Sequence, residues 1–203
     1  MEIEAKYRLL NPIDPDAVER LDLAPYRLEG HATHALADTL LDTPGRAITR
    51  AGWSVRLRRD GPRTFLTLKG PGRVQGAVHR REEHEAELRQ PSLDPAAWPA
   101  ALQARVQALA GGEPLAPLAA VQNQRRTWRV RLGQAEVGEL ALDEGIISAG
   151  GRQEPFRELE LELMGQGSEA DLPQLEARLR AALPLVPEPR SKLARALALL
   201  EDD

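Results

Sequence analysis

The chain has 203 residues, enough for a well-buried core, and carries 27 Lys and Arg against 31 Asp and Glu for a formal charge of -4. With an isoelectric point near 5.7 it is not a general nucleic-acid coat or a membrane-surface binder, which are basic overall, so any polyanion must be bound locally. The absence of cysteine excludes disulfides, thiolate zinc sites and cysteine nucleophiles, and the reducing cytoplasm is the expected compartment.

The first segment, MEIEAKYRLL, alternates charge with mostly apolar residues, which predicts a strand with Glu2, Glu4, Lys6 and Arg8 on one face. It has no apolar leader core, and no run in the chain approaches the ~20 apolar residues of a membrane helix. NPIDPDAVERLDLAP carries Pro and Asp at a helix start, and HALADTLLDTP then predicts a strand. WSVRLRRDGPRTFLTLKG predicts two strands joined by a turn at Asp60-Gly61-Pro62, with Arg56 and Arg58 on one face and Lys69 at the far end. KGPGRVQG reads as a flexible connection and lacks the Gly-Lys-Ser/Thr ending of a phosphate loop.

VHRREEHEAELRQ predicts a strand whose Glu83, Glu85 and Glu87 share a face, with His84 on the other. A helix follows over LDPAAWPAALQARVQALAGG and stops at Gly111-Gly112. QRRTWRVRL and AEVGELALDEGIIS form a hairpin-like pair, FRELELELM a strand with Glu158, Glu160 and Glu162 in a row, and the tail two helical pieces. His31, His34 and His79 are expected in loops or at strand ends, and Trp53, Trp98 and Trp128 in packing.

No linker divides residues 1–203, so one domain is expected. The order holds a weak repeat, two halves of strand, helix and three strands, together about eight antiparallel strands, sufficient to close a barrel. The expected class is therefore α+β: an eight-stranded antiparallel barrel from two β-α-β-β-β halves flanked by helices. Closure would put the charged faces inside, where unpaired carboxylates cost several kcal/mol, so they must pair with one another, stay wet or bind a ligand.

With these residues in view, the chain resembles the CYTH domains, or triphosphate tunnel metalloenzymes. EIEAK resembles the family's ExExK signature. Arg56-x-Arg58, TLKGP with Lys69, and REEHE with Arg81, Glu83 and Glu85 follow in the family's order. Arg126 in QRRTW, Asp143 in LALDEG, Glu160 and Glu162 in ELELEL, and Lys192 in PRSKLARAL complete the match. Two departures stand out: Leu40-Leu41 precede Asp42-Thr43 where relatives have a tyrosine, and the same-face neighbour of Arg126 is Gln124, with Arg125 or a shifted register as the alternative.

The resemblance implies an antiparallel tunnel that binds a triphosphate and divalent metal, Mg²⁺ or Mn²⁺. Hard carboxylate oxygens suit those ions, and arginine and lysine suit phosphate. It implies phosphate contacts from Lys6, Arg8, Arg56, Arg58, Lys69, Arg81, Arg126 and Lys192, and catalytic parts for Glu2, Glu4, Lys6 and Lys192. The implied metal set is Glu2, Glu4, Glu83, Glu85, Asp143, Glu160 and Glu162. Glu83 and Glu85 stand equally as arginine anchors and Asp143 as a counter-ion, while Glu87 and Glu158 are expected solvated at the mouths and Arg8 at the rim.

The expected reaction is metal-dependent hydrolysis of a triphosphate, with inorganic tripolyphosphate favoured. Thiamine triphosphatase, class IV adenylyl cyclase and a non-catalytic polyphosphate or nucleotide sensor are the alternatives. The expected partner is a triphosphate-containing small molecule, with no nucleic acid and no membrane. The oligomeric state is open.

Overall fold

The computed structural model describes residues 1–201. These residues form nine strands and five α-helices, and the strand order β5-β4-β3-β2-β6-β7-β8-β1 closes on itself through antiparallel pairing of β1 (Glu2–Leu9) with β5 (Val78–Leu88). The remaining barrel strands are β2 (Tyr26–Asp42), β3 (Ser54–Asp60), β4 (Arg63–Gln75), β6 (Ala116–Leu132), β7 (Ala135–Ala149) and β8 (Arg152–Leu163). A short β9 (Leu185–Pro187) adds to the outer part of β1.

Both halves of the repeat are present. In the first, α1 (Pro15–Glu19) joins β1 to β2; Asp14 caps it by accepting from the Asp16 amide, with Pro15 just inside. In the second, α3 (Ala100–Ala110) joins β5 to β6 and ends at Gly111, whose φ of 62° is left-handed. Between β2 and β3 sits α2 (Ala47–Arg50), held by the buried Asp42 carboxylate, which accepts from the Ile48 and Thr49 amides. The tail supplies α4 (Asp171–Ala182) and α5 (Lys192–Glu201). No helix among the described residues is long and apolar enough to cross a membrane.

The barrel is inverted relative to an ordinary β core. Outward residues make its apolar layers: Ala5, Tyr7, Leu159 and Leu161 pack under Leu172, Leu175 and Leu179 of α4. Val55, Leu66 and Leu68 pack under α2 and α3. Truncating one such fully buried leucine to alanine costs about 2–5 kcal/mol. The inward residues are mostly charged, apart from an apolar group of Leu40, Val121, Ile147 and Phe156 that α5 covers through Ala196.

Three expectations are corrected. KGPGRVQG is strand, because β4 runs on to Gln75 and stays paired with β5 beyond a register shift between Lys69 and Gly72. β2 and β6 extend well past their predicted starts by pairing with each other along most of their length. His31 and His34 therefore lie inside β2, whereas His79 is at a strand end as expected, the second residue of β5, buried against the Glu188 carbonyl.

Candidate active site

The strands enclose a cavity of about 430 Å³. Even positions of β1 place Glu2, Glu4 and Lys6 in it, and the same alternation brings in Arg56 and Arg58, Lys69, then Arg81, Glu83 and Glu85, and finally Glu160 and Glu162. Lys192 enters from the first turn of α5. Expected residues from six elements thus converge on one space.

Three expected residues stand elsewhere. Arg126 is exposed on the outer face, and Arg125 occupies the cavity in its place. A one-residue change of register flips a strand's faces, and on β6 the outward, buried Trp128 and Val130 fix the odd positions 123, 125 and 127 as the inner ones. Arg8 is exposed and lines a separate cleft with Glu154 and Arg195. Asp143 is fully buried in the wall, where it accepts two hydrogen bonds from Arg125, each 2.7 Å, and one of 3.2 Å from Lys192.

Glu158, expected in solvent, is also fully buried: Lys192 Nζ donates to it at 2.6 Å and Arg195 Nη1 at 2.6 Å. Only Glu87 is solvated as expected, paired with Arg63 at 2.8 Å. The sequence reading missed Asp38, a buried residue of β2 that receives both Nε and Nη2 of Arg58 at 2.8 Å. Its signal was an aspartate between Leu36 and Leu40, on the same strand face as both. The parity of Trp128 would have selected Arg125.

The charges are unequally matched along the cavity. Near α5, Lys192 Nζ reaches Asp143, Glu158 and Glu160 at 3.2, 2.6 and 2.9 Å, and Arg125 bonds Asp143 and Glu160 together. Oxygens of Asp143, Glu158 and Glu160 lie within 4.8 Å of one another, a spacing that suits a cation. Lys192 supplies that cation in this arrangement. Burial alone would lower the Lys192 pKa, but the three carboxylates raise it above the ordinary lysine value. Burial would likewise raise Glu160, yet Lys192, Arg125 and Lys6 hold it well below the usual carboxylate range.

At the β1–β5 seam the balance differs. Glu2 accepts from Lys69 at 2.8 Å and Arg81 at 2.5 Å, and Glu4 lies 3.1 Å from Arg81 and 3.4 Å from Lys6. Lys69 also approaches Glu83 at 3.1 Å. Against these pairs, Glu162 has neither an ion pair nor a hydrogen bond from its side chain among the described residues. Burial first, then Glu2 and Glu4, push its pKa up to about 7. A second feature is one unmatched donor: Arg56 Nε is buried with no hydrogen-bond partner among the described residues, and burial with Arg58 alongside lowers the Arg56 pKa.

A closed antiparallel barrel with a lumen lined by opposed cations and carboxylates defines a class of polyanion-binding tunnel proteins. The model of the CYTH domain matches residues 1–197, and the chain belongs to that family, the triphosphate tunnel metalloenzymes. An inorganic triphosphatase of Haemophilus influenzae is 29% identical over 141 residues, 70% of this chain and 39% of that protein. The chain therefore matches about two fifths of the length of that curated relative.

Among solved structures, a Hippeastrum protein described as a candidate adenylyl cyclase with a dominant triphosphatase activity superposes with a TM-score of 0.70 at 23% identity, covering 98% of this chain and 96% of that one. A Pyrococcus horikoshii protein gives 0.62 at 20%, covering 98% and 99%. A candidate adenylate cyclase of Bacillus halodurans gives 0.61 at 18%, covering 96% of each. At these identities the likeness is one of fold.

Proposed function

We propose that the protein hydrolyses a triphosphate in its tunnel with the help of a divalent metal, and that inorganic tripolyphosphate is its preferred substrate. The observation that carries this reading is the unequal matching of charge in one cavity. One cavity holds Arg56, with a nitrogen that has no hydrogen-bond partner, and Glu162, a carboxylate with no ion pair among the described residues. A pure anion binder has no use for that carboxylate, whereas a metal-assisted phosphoryl transfer uses both.

In this reading Arg56, Arg58 and Arg125 bind phosphate oxygens through charge-assisted hydrogen bonds, and Lys69 and Arg81 do so from the adjoining strands β4 and β5. Asp38 and Asp143 orient Arg58 and Arg125 by accepting paired bonds. Lys192 and Lys6 stand next to Glu160 and neutralise charge on the transferring group.

The donor set fits a hard cation at the β1–β8 seam. Glu162 and Glu4 are register partners on β8 and β1, and Glu162 is repelled by the carboxylates around it. Glu4 and Glu162, with Glu2, would hold Mg²⁺ or Mn²⁺, which supplies Lewis-acid polarisation of phosphate oxygens and a more acidic bound water. Glu83 and Glu85 act as anchors: Glu83 pairs with Lys69, and Glu85 accepts from Thr67 at 2.8 Å and lies 3.8 Å from Arg56.

No polar group of the cavity named here is committed to an adenine edge, a thiamine ring or a ribose hydroxyl, so binding energy resides in the phosphate chain. The test is a substrate panel with Mg²⁺ or Mn²⁺. Phosphate release should show a higher kcat/KM for tripolyphosphate than for ATP or thiamine triphosphate, with little from pyrophosphate and no cyclic AMP. Cyclic AMP and pyrophosphate from ATP would move the protein to the cyclase reading, and tight tripolyphosphate binding without turnover would make it a sensor.

A further inference from the structure

Beside the tunnel lies a second cavity of about 370 Å³, and the two share Ser54, Lys69, Arg81, Ser191 and Leu193. The connection lies to one side because α5 takes the other. There Leu193 and Ala196 pack with Leu40, Val121 and Phe156, which makes the side formed by β2, β6 and β8 apolar, with no donor for phosphate. Towards β4 and β5 the lumen runs instead past Lys69 and Arg81 into the cleft.

Whereas the tunnel mixes cations with carboxylates, the cleft does not. Arg73, Arg80 and Arg190 join Lys69 and Arg81 in lining it, and no aspartate, glutamate, asparagine or glutamine is among its lining residues. Arg80 pairs with Glu169 at 2.8 Å and Arg190 with Glu188 at 3.1 Å, both carboxylates outside that lining. Arg73 is exposed and has no side-chain ion pair or hydrogen bond among the described residues. It is also the register partner of Arg80 across β4 and β5, beyond the shift between Lys69 and Gly72. Like charges set directly opposite each other in a sheet are destabilising, and an anion bound beside both relieves them.

We propose that this cleft binds the phosphates that follow the first three of a linear inorganic polyphosphate. Chains longer than tripolyphosphate then place three phosphates in the tunnel and the next ones beside Arg73, Arg80 and Arg190. The proposal rests on the triphosphate reading of the tunnel and extends its substrate class. Phosphate oxygens are the ligand that this chemistry fits, because guanidinium groups donate to them and the cleft has no side-chain carboxylate or amide to accept from the exocyclic amine of a base.

Calorimetric titration without divalent metal tests this with tripolyphosphate, tetrapolyphosphate and a longer linear chain. The proteins are wild type, Arg73→Glu and Arg126→Glu, the last reversing the same charge on the outer face of β6. Wild type should bind tetrapolyphosphate about tenfold more tightly than tripolyphosphate, the worth of one charge-assisted contact, and the longer chain at least as tightly. Arg73→Glu should abolish that gain and leave the affinity for tripolyphosphate within about twofold, since an exposed charge outside the tunnel is screened. Arg126→Glu should keep the gain. Equal affinity of wild type for all three chains would overturn the proposal. So would an equal loss in both variants, which would make the gain a diffuse attraction, or a loss in Arg73→Glu as large for ATP as for tetrapolyphosphate, which would make the cleft a site for an organic end. Wild type that neither binds nor hydrolyses tripolyphosphate would remove the tunnel reading and this proposal with it, whereas tripolyphosphate turnover without the gain removes the cleft alone.

Discussion

At the α5 end of the tunnel, one ammonium group on Lys192 satisfies carboxylates from β7 and β8, whereas at the β1–β8 seam Glu162 faces Glu2 and Glu4 with no ion pair among the described residues. Both regions arise from the same Glu-x-Glu alternation. The difference is supplied by α5, which carries a cation to one end only. Carboxylates that look equivalent in sequence are thereby divided into those that hold the protein together and those left available for a ligand.

Lys192→Ala puts the most at stake, because it removes the cation shared by Asp143, Glu158 and Glu160 and leaves them to Arg125, Arg195 and Lys6. Removing one partner from a buried ion cluster costs about 3–5 kcal/mol, so Tm should fall by roughly 10 °C in a calorimetric scan. An unchanged Tm with a change confined to KM would mean that Lys192 serves the ligand alone and not the fold as well. Arg125→Ala is next: it leaves Asp143 with Lys192 alone and removes a phosphate contact, and kcat/KM for tripolyphosphate should drop by about two orders of magnitude, equivalent to roughly 3 kcal/mol.

Glu162→Gln should act in the opposite sense at the other end. In the fold Glu162 keeps its proton up to about pH 7, against 4.5 for an ordinary glutamate, so its favourable contribution is present below 4.5 and is lost as pH rises through 7. The Gln variant should therefore melt a few degrees higher than wild type at pH 8 without metal and match it near pH 4.5, while metal-dependent turnover is lost. Equal Tm values at pH 8 would remove the contrast between the two ends. The smallest effect belongs to Arg126→Ala, expected within ±0.5 kcal/mol by chemical denaturation and with unchanged kinetics. A kinetic loss there would reverse the assignment of β6 faces.

The fold was legible because period-two charge is hard to produce by chance on several strands, and the order of elements then allowed few topologies. The site was legible wherever a charge stood alone between apolar residues, as in EIEAK and ELELEL. It failed at QRRTW, where adjacent arginines offer both faces and only packing of Trp128 and Val130 on the outer layer decides. Glu158 shows a different limit. Its burial depends on Lys192 and Arg195, which arrive from a helix distant in the chain, and no local pattern encodes that meeting. Strand lengths were underestimated because the β2 extension YRLEGHAT holds charges and glycine and the β6 extension APLAAVQN holds alanines and a proline, both kept in strand by mutual pairing rather than by propensity.

The closing seam has a consequence for how the barrel is made. β1 pairs with β8 through Glu4 and Glu162 and with β5 through Glu2 and Arg81, so it cannot find its lasting neighbours until β8 exists. Such non-local pairings are slow to form, and a strand edge exposed meanwhile invites association with other chains. An inward row of Glu2, Glu4 and Lys6 makes that waiting edge a poor template for aggregation. The charges that later line the tunnel thus first serve as protection for an unfinished sheet.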